Sequence, residues 1–303
     1  MIKNKQIPAM AMAALGNIIF GFSFLFSKTA FNVTAVKVTP FILLSYRFLL
    51  AFLVMNVIWA CRPSLLTVRG KKWWKLVPLG PLQPVAYFIC ENYALQQTNT
   101  VLSAVMIALI PVVALLLGLL FLKEKPTPLQ ILFSILSVVG VVIISLGDSP
   151  VGKTSIWVFL LLLGAMLSAA GFNFVSRKNA EEFTSFERTY MMFLLASVSF
   201  SLLAFIENIH NLEGLVLPLT QGEFLVSVGF LGVLSSVVAF FCINYANTYL
   251  PISRSTAFSN ITTVVSLLAG VFILKEEHAP IAFFASAMII VGVWGVQHFV
   301  KKK

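Results

Sequence analysis

Long apolar stretches alternate with short polar ones along the whole chain. Each stretch covers about 20 residues, the length that an α-helix needs to cross a bilayer. The pattern predicts ten transmembrane helices, at 8–30, 39–60, 76–96, 100–122, 128–147, 155–176, 186–206, 223–246, 252–274 and 279–299. Little chain remains for a soluble domain, so the predicted fold class is an all-α membrane protein.

The two halves of the chain repeat one another at a spacing of 152 residues. FICENYA at 88–94 returns as FFCINYA at 240–246, and GFSFLFSK at 21–28 matches GFNFVSRK at 171–178 at the slightly shorter spacing of 150. The same spacing of 152 pairs Gly80 with Gly232, Cys90 with Cys242, Asn92 with Asn244, Tyr93 with Tyr245, Ser103 with Ser255, Gly118 with Gly270, and Gly140 with Gly292. We therefore predict two units, residues 1–148 and 149–303.

Five helices in each unit give the second unit the opposite orientation in the membrane, because five is odd. The units are then inverted repeats, related by an axis in the membrane plane. Such repeats are typical of secondary transporters, since exchanging the conformations of the two halves changes the side to which a central cavity opens.

Basic residues predict the orientation and account for the net charge of +10. Of the 21 lysines and arginines, Arg47 lies within a helix, and the ones on the side opposite to the N-terminus are Lys28, Lys37, Lys153 and Lys275. By the positive-inside rule, both termini are cytoplasmic and the protein is a multi-pass protein of the cell (inner) membrane. The basic charge therefore does not indicate a nucleic-acid partner; the expected partners are the lipid bilayer and a small-molecule substrate.

Composition and motifs exclude other classes. The chain is 59% hydrophobic and 11% charged, far from a soluble domain. Cys61, Cys90 and Cys242 have no spacing typical of a disulfide framework or a zinc site. No GxxxxGK[ST] loop occurs, so ATP is not the direct energy source, and no cofactor is expected. No HExxH or paired acids occur in the predicted helices, which disfavours a membrane-embedded enzyme.

The order and duplication of these elements resemble the EamA domain of the drug/metabolite transporter superfamily. The residues that carry the resemblance are GFSFLFSK in the first helix, NYAL at 92–95, and LKE at 122–124 and 274–276. The resemblance covers nearly the whole chain as two tandem units. It implies a secondary active transporter that exports small organic metabolites, such as amino acids or related compounds, by alternating access about a central cavity. Phe20 and Ser23 depart from the Trp and Asn of many relatives.

Ionisable residues inside a membrane helix are costly, so they are candidates for function. Arg47 and Glu91 lie at similar depths near the outer ends of the second and third helices. They form an ion pair that joins the helices, or line the cavity, or reach to the interface. Because Ile243 stands at the repeat position of Glu91, the shared fold does not require the acid. Glu91 is the best single candidate for substrate specificity or for coupling to proton movement.

Uncharged polar residues form a second group of cavity candidates: Asn17, Ser23, Asn92, Tyr93, Asn173 and Asn244. The alternative role for each is a hydrogen bond to a neighbouring helix. Ser23 and Asn173 occupy matched positions in the first and sixth helices, and we expect both near the axis at the bilayer midplane. No residue is predicted to be catalytic or to bind a metal.

Two other functions remain open at the level of sequence. A flippase for a lipid or a lipid-linked precursor would need a lateral opening between helices and a cavity with an amphipathic wall. A membrane-embedded protein without transport activity would leave Glu91 and Arg47 with little to do beyond pairing. The sequence does not set the substrate, the coupling ion or the oligomeric state.

Overall fold

The computed structural model describes residues 5–31, 33, 38–67, 70–95, 110–148, 156–273 and 280–299. Within these ranges the chain is helical and has no strand. Ser103 and the second LKE segment at 274–276 lie outside the described residues, as does the side chain of Asn92. The all-α prediction is therefore confirmed for the described chain.

The main described helices are α1 (Gln6–Phe31), α2 (Pro40–Cys61), α3 (Tyr87–Leu95), α4 (Ile110–Phe121), α5 (Pro128–Asp148), α6 (Ile156–Lys178), α7 (Ser185–Glu207), α8 (Gly222–Tyr249), α9 (Ile252–Phe272) and α10 (Pro280–His298). Eight of them end within three residues of their predicted windows, whereas α3 and α4 cover only part of theirs. Seven described helices, α1, α2 and α6 to α10, are long and apolar enough to cross a membrane. Because α3, α4 and α5 are not among those seven, the count of ten transmembrane helices stays a prediction.

Threonine caps begin both α2 and α7. The Thr39 hydroxyl accepts a hydrogen bond from the Ile42 amide at 3.3 Å. The Thr184 hydroxyl accepts from the Glu187 amide at 3.2 Å, and the Glu187 carboxylate accepts from the Thr184 amide at 2.8 Å, which completes a capping box. Each cap pairs an amide that has no partner within its helix, so the local sequence sets where the helix begins.

Helical irregularities occur at matching places in the two halves. The segment Pro81–Ala86 before α3 is kinked at Gln83, whose backbone is extended (φ −146°, ψ 120°). Pro81 and Pro84 explain this kink, because proline has no amide hydrogen for the regular helical bond. In α8, Phe230–Val238 forms a wide π-helical turn that contains no proline, and nothing in its sequence explains it. Wide turns of this kind are rare and frequently occur at functional sites.

Equivalent helices of the two halves make equivalent contacts across the boundary between the halves. Helix α1 packs against α8 and α9, and its counterpart α6 packs against α3 and α4. The counterparts α2 and α7 pack against each other, and so do α5 and α10. The buried cluster around α2 and α7 is rich in aromatic rings: Phe48, Phe172, Phe193, Phe200 and Phe240.

Glycines bring these helices into close contact in a reciprocal way. A Cβ atom on Gly140 of α5 would lie 2.7 Å from the Ala285 carbonyl oxygen of α10. A Cβ atom on Gly292 of α10 would lie 2.7 Å from the Phe133 carbonyl oxygen of α5. Gly140 and Gly292, like Phe133 and Ala285, are separated by 152 residues. The two contacts are therefore the same contact made in both directions.

A second reciprocal pair lies next to the kinked segment Pro81–Ala86 and the wide turn of α8. A Cβ atom on Gly80 would lie 2.5 Å from the Leu195 Cβ, and one on Gly232 would lie 2.8 Å from the Leu50 Cδ2. Gly80 and Gly232 are again 152 residues apart, whereas Leu50 and Leu195 are 145 apart. The shorter spacing holds throughout the aligned segment FLLA at 48–51 and FLLA at 193–196.

Basic side chains gather at one end of the bundle, which is called the basic end here. This end contains the start of α1 and the end of α8, since the Lys5 ammonium donates to the Tyr249 hydroxyl at 3.3 Å. It also contains the start of α9 and the end of α10, because Arg254 Nε donates to Gln297 Oε1 at 2.9 Å. At the opposite end, Thr39 before α2 donates to the Glu207 carboxylate at the end of α7.

Candidate functional site

Arg47 joins α2 to the wide turn of α8. Its Nε donates to the Ser236 hydroxyl and its Nη2 to the Ser235 hydroxyl, each at 2.9 Å. The guanidinium carbon lies 5.3 Å from the ring centre of Phe48 and 5.1 Å from that of Phe88, within range of a cation–π interaction. Arg47 is 4% exposed, so this charge lies inside the bundle.

Glu91 lies one helical turn after Phe88 and is 7% exposed. Its Oε1 accepts a hydrogen bond from the Tyr87 hydroxyl at 2.8 Å. Among the described residues, no Arg47 nitrogen comes within 4.0 Å of a Glu91 oxygen, so the two do not form a direct ion pair. Arg47 packs on the ring of Phe88, and Glu91 follows Phe88 by one helical turn, so the two residues are neighbours. Arg47 and Glu91 are thus neighbouring opposite charges held apart, and a cavity role for them stays a prediction.

Arg188, near the start of α7, is a second buried arginine and has no exposed surface. Its Nη1 donates to the carbonyl and the hydroxyl oxygens of Ser176 on α6, both at 2.7 Å. Its Nη2 donates to the Asn244 carbonyl on α8 at 2.7 Å and to the Thr248 hydroxyl. All these acceptors are neutral, so Arg188 holds three helices together without a carboxylate.

Asn173 and Asn244 belong to the polar network around Arg188. Asn244 accepts a hydrogen bond from the Ser176 hydroxyl at 2.6 Å and donates to the Thr189 hydroxyl at 2.9 Å. Asn173 accepts from the Asn247 amide group at 3.0 Å. Asn247 Oδ1 is buried and has no hydrogen-bond partner among the described residues. The structure thus brings two predicted candidates together, but through helix-to-helix hydrogen bonds.

Glu124 and Arg177 bind the corner between α8 and α9. Both carboxylate oxygens of Glu124 accept from the Ile252 amide, at 2.9 and 3.0 Å. Arg177 Nη1 donates to the Asn247 carbonyl at 3.1 Å and to the Thr248 carbonyl at 2.6 Å. An acid at a helix start and a base at a helix end both complement the helix dipole. Since Arg177 Nε lies 3.9 Å from Glu124 Oε1, the two side chains close this corner together.

Burial sets the protonation of the Glu124 carboxyl. It raises the pKa of Glu124 above the ordinary 4.5, while the Ile252 amide and the charge of Arg177 act in the opposite direction. The negative form of Glu124 is thus favoured by its two partners and disfavoured by its surroundings. Separating Glu124 from Ile252 and Arg177 would remove the interactions that favour the charge.

The loop between α2 and α3 is also tied to the basic end. The Lys71 ammonium lies 2.7 Å from both oxygens of Glu187, whose side chain is fully buried. Lys75 pairs with Glu182, and this hydrogen bond lowers the pKa of the Glu182 carboxyl. These pairs link the first half of the chain to the start of α7.

Within the described chain, the candidates on α1 make no hydrogen bond to Arg47 or Arg188. The Asn17 amide group donates to the Ala13 carbonyl at 2.7 Å, and the Thr262 hydroxyl of α9 donates to the Asn17 carbonyl at 3.1 Å. Asn17 therefore contributes to the contact between α1 and α9. The Ser23 hydroxyl is half-buried and donates to the Phe20 carbonyl of its own helix at 2.6 Å. Its approach to the axis stays a prediction.

Tyr93 and Asn92 follow Glu91 on α3. The Tyr93 side chain is 44% exposed, and its ring lies 6.2 Å from that of Phe41 on α2. The Asn92 side chain lies outside the described residues. Neither residue is placed by these contacts in the group around Arg47.

Sequence reasoning missed Ser235, Ser236, Ser176 and the role of Arg188. The sequence groups Arg188 with the basic residues on the side of the N-terminus, and the structure adds that its side chain is fully buried among neutral acceptors. Its position within the predicted helix 186–206 was the signal that an ionisable residue lay inside the bundle. Arg254 shows the same behaviour at 5% exposure.

Comparison with protein families agrees with this architecture. A model of the EamA-like transporter family matches residues 7–146 and again residues 155–297. The chain belongs to the EamA-like transporter family. Membership makes this EamA-like protein a membrane transporter, as its apolar helices also indicate.

Relatives of this EamA-like transporter have similar descriptions. An uncharacterized transporter, YcxC, of Bacillus subtilis is 32% identical over all of this chain and 97% of its own length. A probable terminal-alkyne amino-acid exporter of Streptantibioticus cattleyicolor is 27% identical, over 69% of this chain and 67% of its own. A solved crystal structure with 16% identity superposes with a TM-score of 0.78, over 97% of this chain and 99% of its own, which shows a shared fold.

Proposed function

We propose that this EamA-like transporter is a secondary active transporter that exports small organic metabolites, such as amino acids or related compounds, by alternating access. It has ten transmembrane helices in two inverted five-helix repeats, residues 1–148 and 149–303. The basic end faces the cytoplasm, so both termini are cytoplasmic. The positive-inside rule supports this orientation, because Lys5, Lys71 and Lys75 are all at that end.

The reciprocal glycine contacts are the observation that carries the proposal. Gly140 approaches the Ala285 carbonyl as Gly292 approaches the Phe133 carbonyl, and the partners are matched along the chain. A contact that is the same in both directions is expected of two copies related by a two-fold axis. The match of one family model to 7–146 and to 155–297 supports the same division. Inverted copies provide the two alternative conformations that alternating access requires.

The contacts at the basic end support a state that is closed towards the cytoplasm. Glu124 and Arg177 tie the ends of α4 and α6 to the α8–α9 corner. Opening to the cytoplasm separates these groups, and the opposite end then closes. The transport cycle is therefore an exchange between two sets of contacts, one at each end of the bundle.

Arg47 and Glu91 are the proposed substrate-binding or coupling residues. Both are buried, and both belong to the first repeat alone, since Ile243 replaces Glu91 in the second. A buried charge that the fold does not demand is retained for another purpose, and in membrane helices this purpose is usually transport. The amino-acid exporter among the relatives supports an organic substrate of similar size.

Purified protein in proteoliposomes tests the proposal. Vesicles are loaded with an equimolar mixture of the 20 standard amino acids, and the released compounds are identified by mass spectrometry. The proposal predicts release of one or a few amino acids faster than from protein-free vesicles. A parallel sample carries a fluorescent phospholipid whose exposure is read by dithionite quenching. Lipid flipping without amino-acid release would contradict the proposal and support a flippase instead.

A further inference from the structure

Two consecutive serines bind one edge of the Arg47 guanidinium. Ser235 and Ser236 both reach it because they lie in the wide turn Phe230–Val238 of α8. The rings of Phe48 and Phe88 lie beside the same group. The orientation of Arg47 is therefore fixed by contacts to three different segments of the bundle.

The other edge of this guanidinium is unpaired within the part of the chain that the structure describes. Among the residues that the structure describes, Arg47 Nη1 has no hydrogen-bond partner, although the residue is 4% exposed. Glu91 Oε2 also lacks one within the described chain, and Glu91 is 7% exposed. Arg47 thus presents free donors, and Glu91 a free acceptor, in a place that is almost closed to water. Neither of these two atoms is among the fully buried unpartnered atoms of the described chain, so each keeps a small surface that a partner group can reach.

The charges favour one kind of partner. The planar edge of a guanidinium matches a carboxylate, and the Glu91 oxygen matches a cationic group. A solute with one carboxylate and one ammonium group leaves the site electrically neutral, which a low-dielectric environment favours. A phosphate dianion would instead add two negative charges beside Glu91.

The symmetry-equivalent site, made by the matching positions of the two repeats, lacks these groups. At the spacing of 145 residues, the position equivalent to Arg47 holds Met192. At the spacing of 152 residues, the positions equivalent to Ser235 and Ser236 hold Gln83 and Pro84. The arginine and its two serines are therefore an addition to the repeated fold rather than a part of it.

We propose that the free edge of Arg47 binds the carboxylate of the transported solute and that Ser235 and Ser236 are the positioning residues that aim it. This inference rests on the transport function proposed above. The serines do not contact the solute. They hold Nε and Nη2, so that Nη1 remains available, and they act on substrate affinity through the orientation of Arg47.

The test uses the wild-type protein and a Ser235→Ala/Ser236→Ala variant in the same proteoliposomes. The probe is the amino acid that the wild type releases fastest, and its amide and its decarboxylated amine serve as competitors. Loss of the two hydrogen bonds to a charged group raises KM about tenfold or more, with little change in kcat. In the wild type, the amide and the amine compete poorly, because neither has a carboxylate.

Matched variants separate positioning from folding. Ser227→Ala changes a fully buried serine of the same helix whose hydroxyl has no partner among the described residues, and its KM stays within about twofold of wild type. Ser235→Thr/Ser236→Thr keeps both hydroxyls and restores KM. If the double alanine variant does not fold, as judged by size-exclusion chromatography, Ser236→Ala alone is measured.

Two results distinguish this inference from the transport proposal. If the wild type releases amino acids but the alanine variants keep the wild-type KM, or if the amide competes as well as the amino acid, the positioning role is overturned and transport stands. If the wild type releases no amino acid, the proposed amino-acid substrate is excluded, and this inference fails with it.

Discussion

The rings of Phe48 and Phe193 lie 5.9 Å apart, centre to centre, at the contact between α2 and α7. Both belong to the sequence FLLA, at 48–51 and 193–196, and both helices begin at a capping threonine, Thr39 and Thr184. The two residues therefore occupy the same position in their halves and meet across the boundary between them. Such a meeting of equivalent residues is expected at a two-fold axis.

The glycine contacts predict a symmetric loss of stability. Gly140→Ala and Gly292→Ala each place a Cβ atom 2.7 Å from a backbone carbonyl oxygen of the facing helix, so the helices must separate. Each change is expected to lower the free energy of unfolding by about 1–3 kcal/mol. The measurement is the thermal midpoint in detergent.

Gly229→Ala is the matched control for both glycine variants. Nothing lies within 4 Å of the added atom at this helical position, so this variant should be as stable as wild type or more stable. A clear loss at only one of Gly140 and Gly292 would contradict the reciprocal packing.

Arg188 is predicted to be essential for folding. Arg188→Lys keeps the charge but cannot supply all the hydrogen bonds of a guanidinium to Ser176, Asn244 and Thr248. Each buried acceptor left without a donor costs about 1–3 kcal/mol, so the yield of folded protein should fall sharply. Arg62→Lys, at an exposed position after α2, is the control. Equal yields from the two variants would show that Arg188 is dispensable.

Glu124 predicts a pH dependence with a definite sign. Burial raises its folded-state pKa above 4.5, so the folded protein binds this proton more tightly than the unfolded chain. The resulting stability is complete below the unfolded pKa and is lost as pH rises through the folded pKa. Wild type should therefore lose thermal stability relative to Glu124→Gln as pH rises from below 4.5. The quantity measured is the thermal midpoint of wild type minus that of the variant.

The exposed Glu181 provides the comparison for this titration. Glu181→Gln removes one negative charge at the basic end without touching Ile252 or Arg177. The midpoints of all three proteins are measured over the same pH series. A difference between wild type and Glu124→Gln that rises with pH would contradict the assignment of burial as the dominant effect.

The inverted arrangement predicts opposite labelling of two positions. Single cysteines replace Lys125 and Glu277 in a protein without Cys61, Cys90 and Cys242. A membrane-impermeant thiol reagent applied to intact cells should label the cysteine at 277, while the one at 125 reacts only after the membrane is opened. Labelling of both from the same side would exclude an inverted repeat.

The extents of the helices could be predicted from sequence because apolar runs of this length have few alternatives. The window 186–206 corresponds to Ser185–Glu207, and 252–274 corresponds to Ile252–Phe272. The kink before α3 had a signal in Pro81 and Pro84. The wide turn in α8 had none, so the approach of Ser235 and Ser236 to Arg47 could not be predicted.

The partners of the buried charges were harder to predict, since they depend on how helices rotate against one another. The sequence positions of Arg47 and Glu91 predicted that the two side chains lie at the same depth in the membrane. They did not predict which way each side chain points, and a direct ion pair does not form. Arg188 is bound by backbone carbonyls and hydroxyls from two other helices. Backbone acceptors of this kind are present in every sequence and carry no pattern of their own.

Transport by a Glu91→Gln variant tests the central claim most directly. The equivalent position of the second repeat holds Ile243, so the repeated fold does not need the acid and Glu91 should serve transport instead. The Glu91→Gln variant should therefore keep nearly full folded yield. Ile243→Val, a conservative change at the matching position of α8, is the control. We predict that amino-acid release by Glu91→Gln is lost, or loses its pH dependence, while Ile243→Val transports as wild type does. Unchanged release with an unchanged pH profile in a folded Glu91→Gln protein would contradict the account.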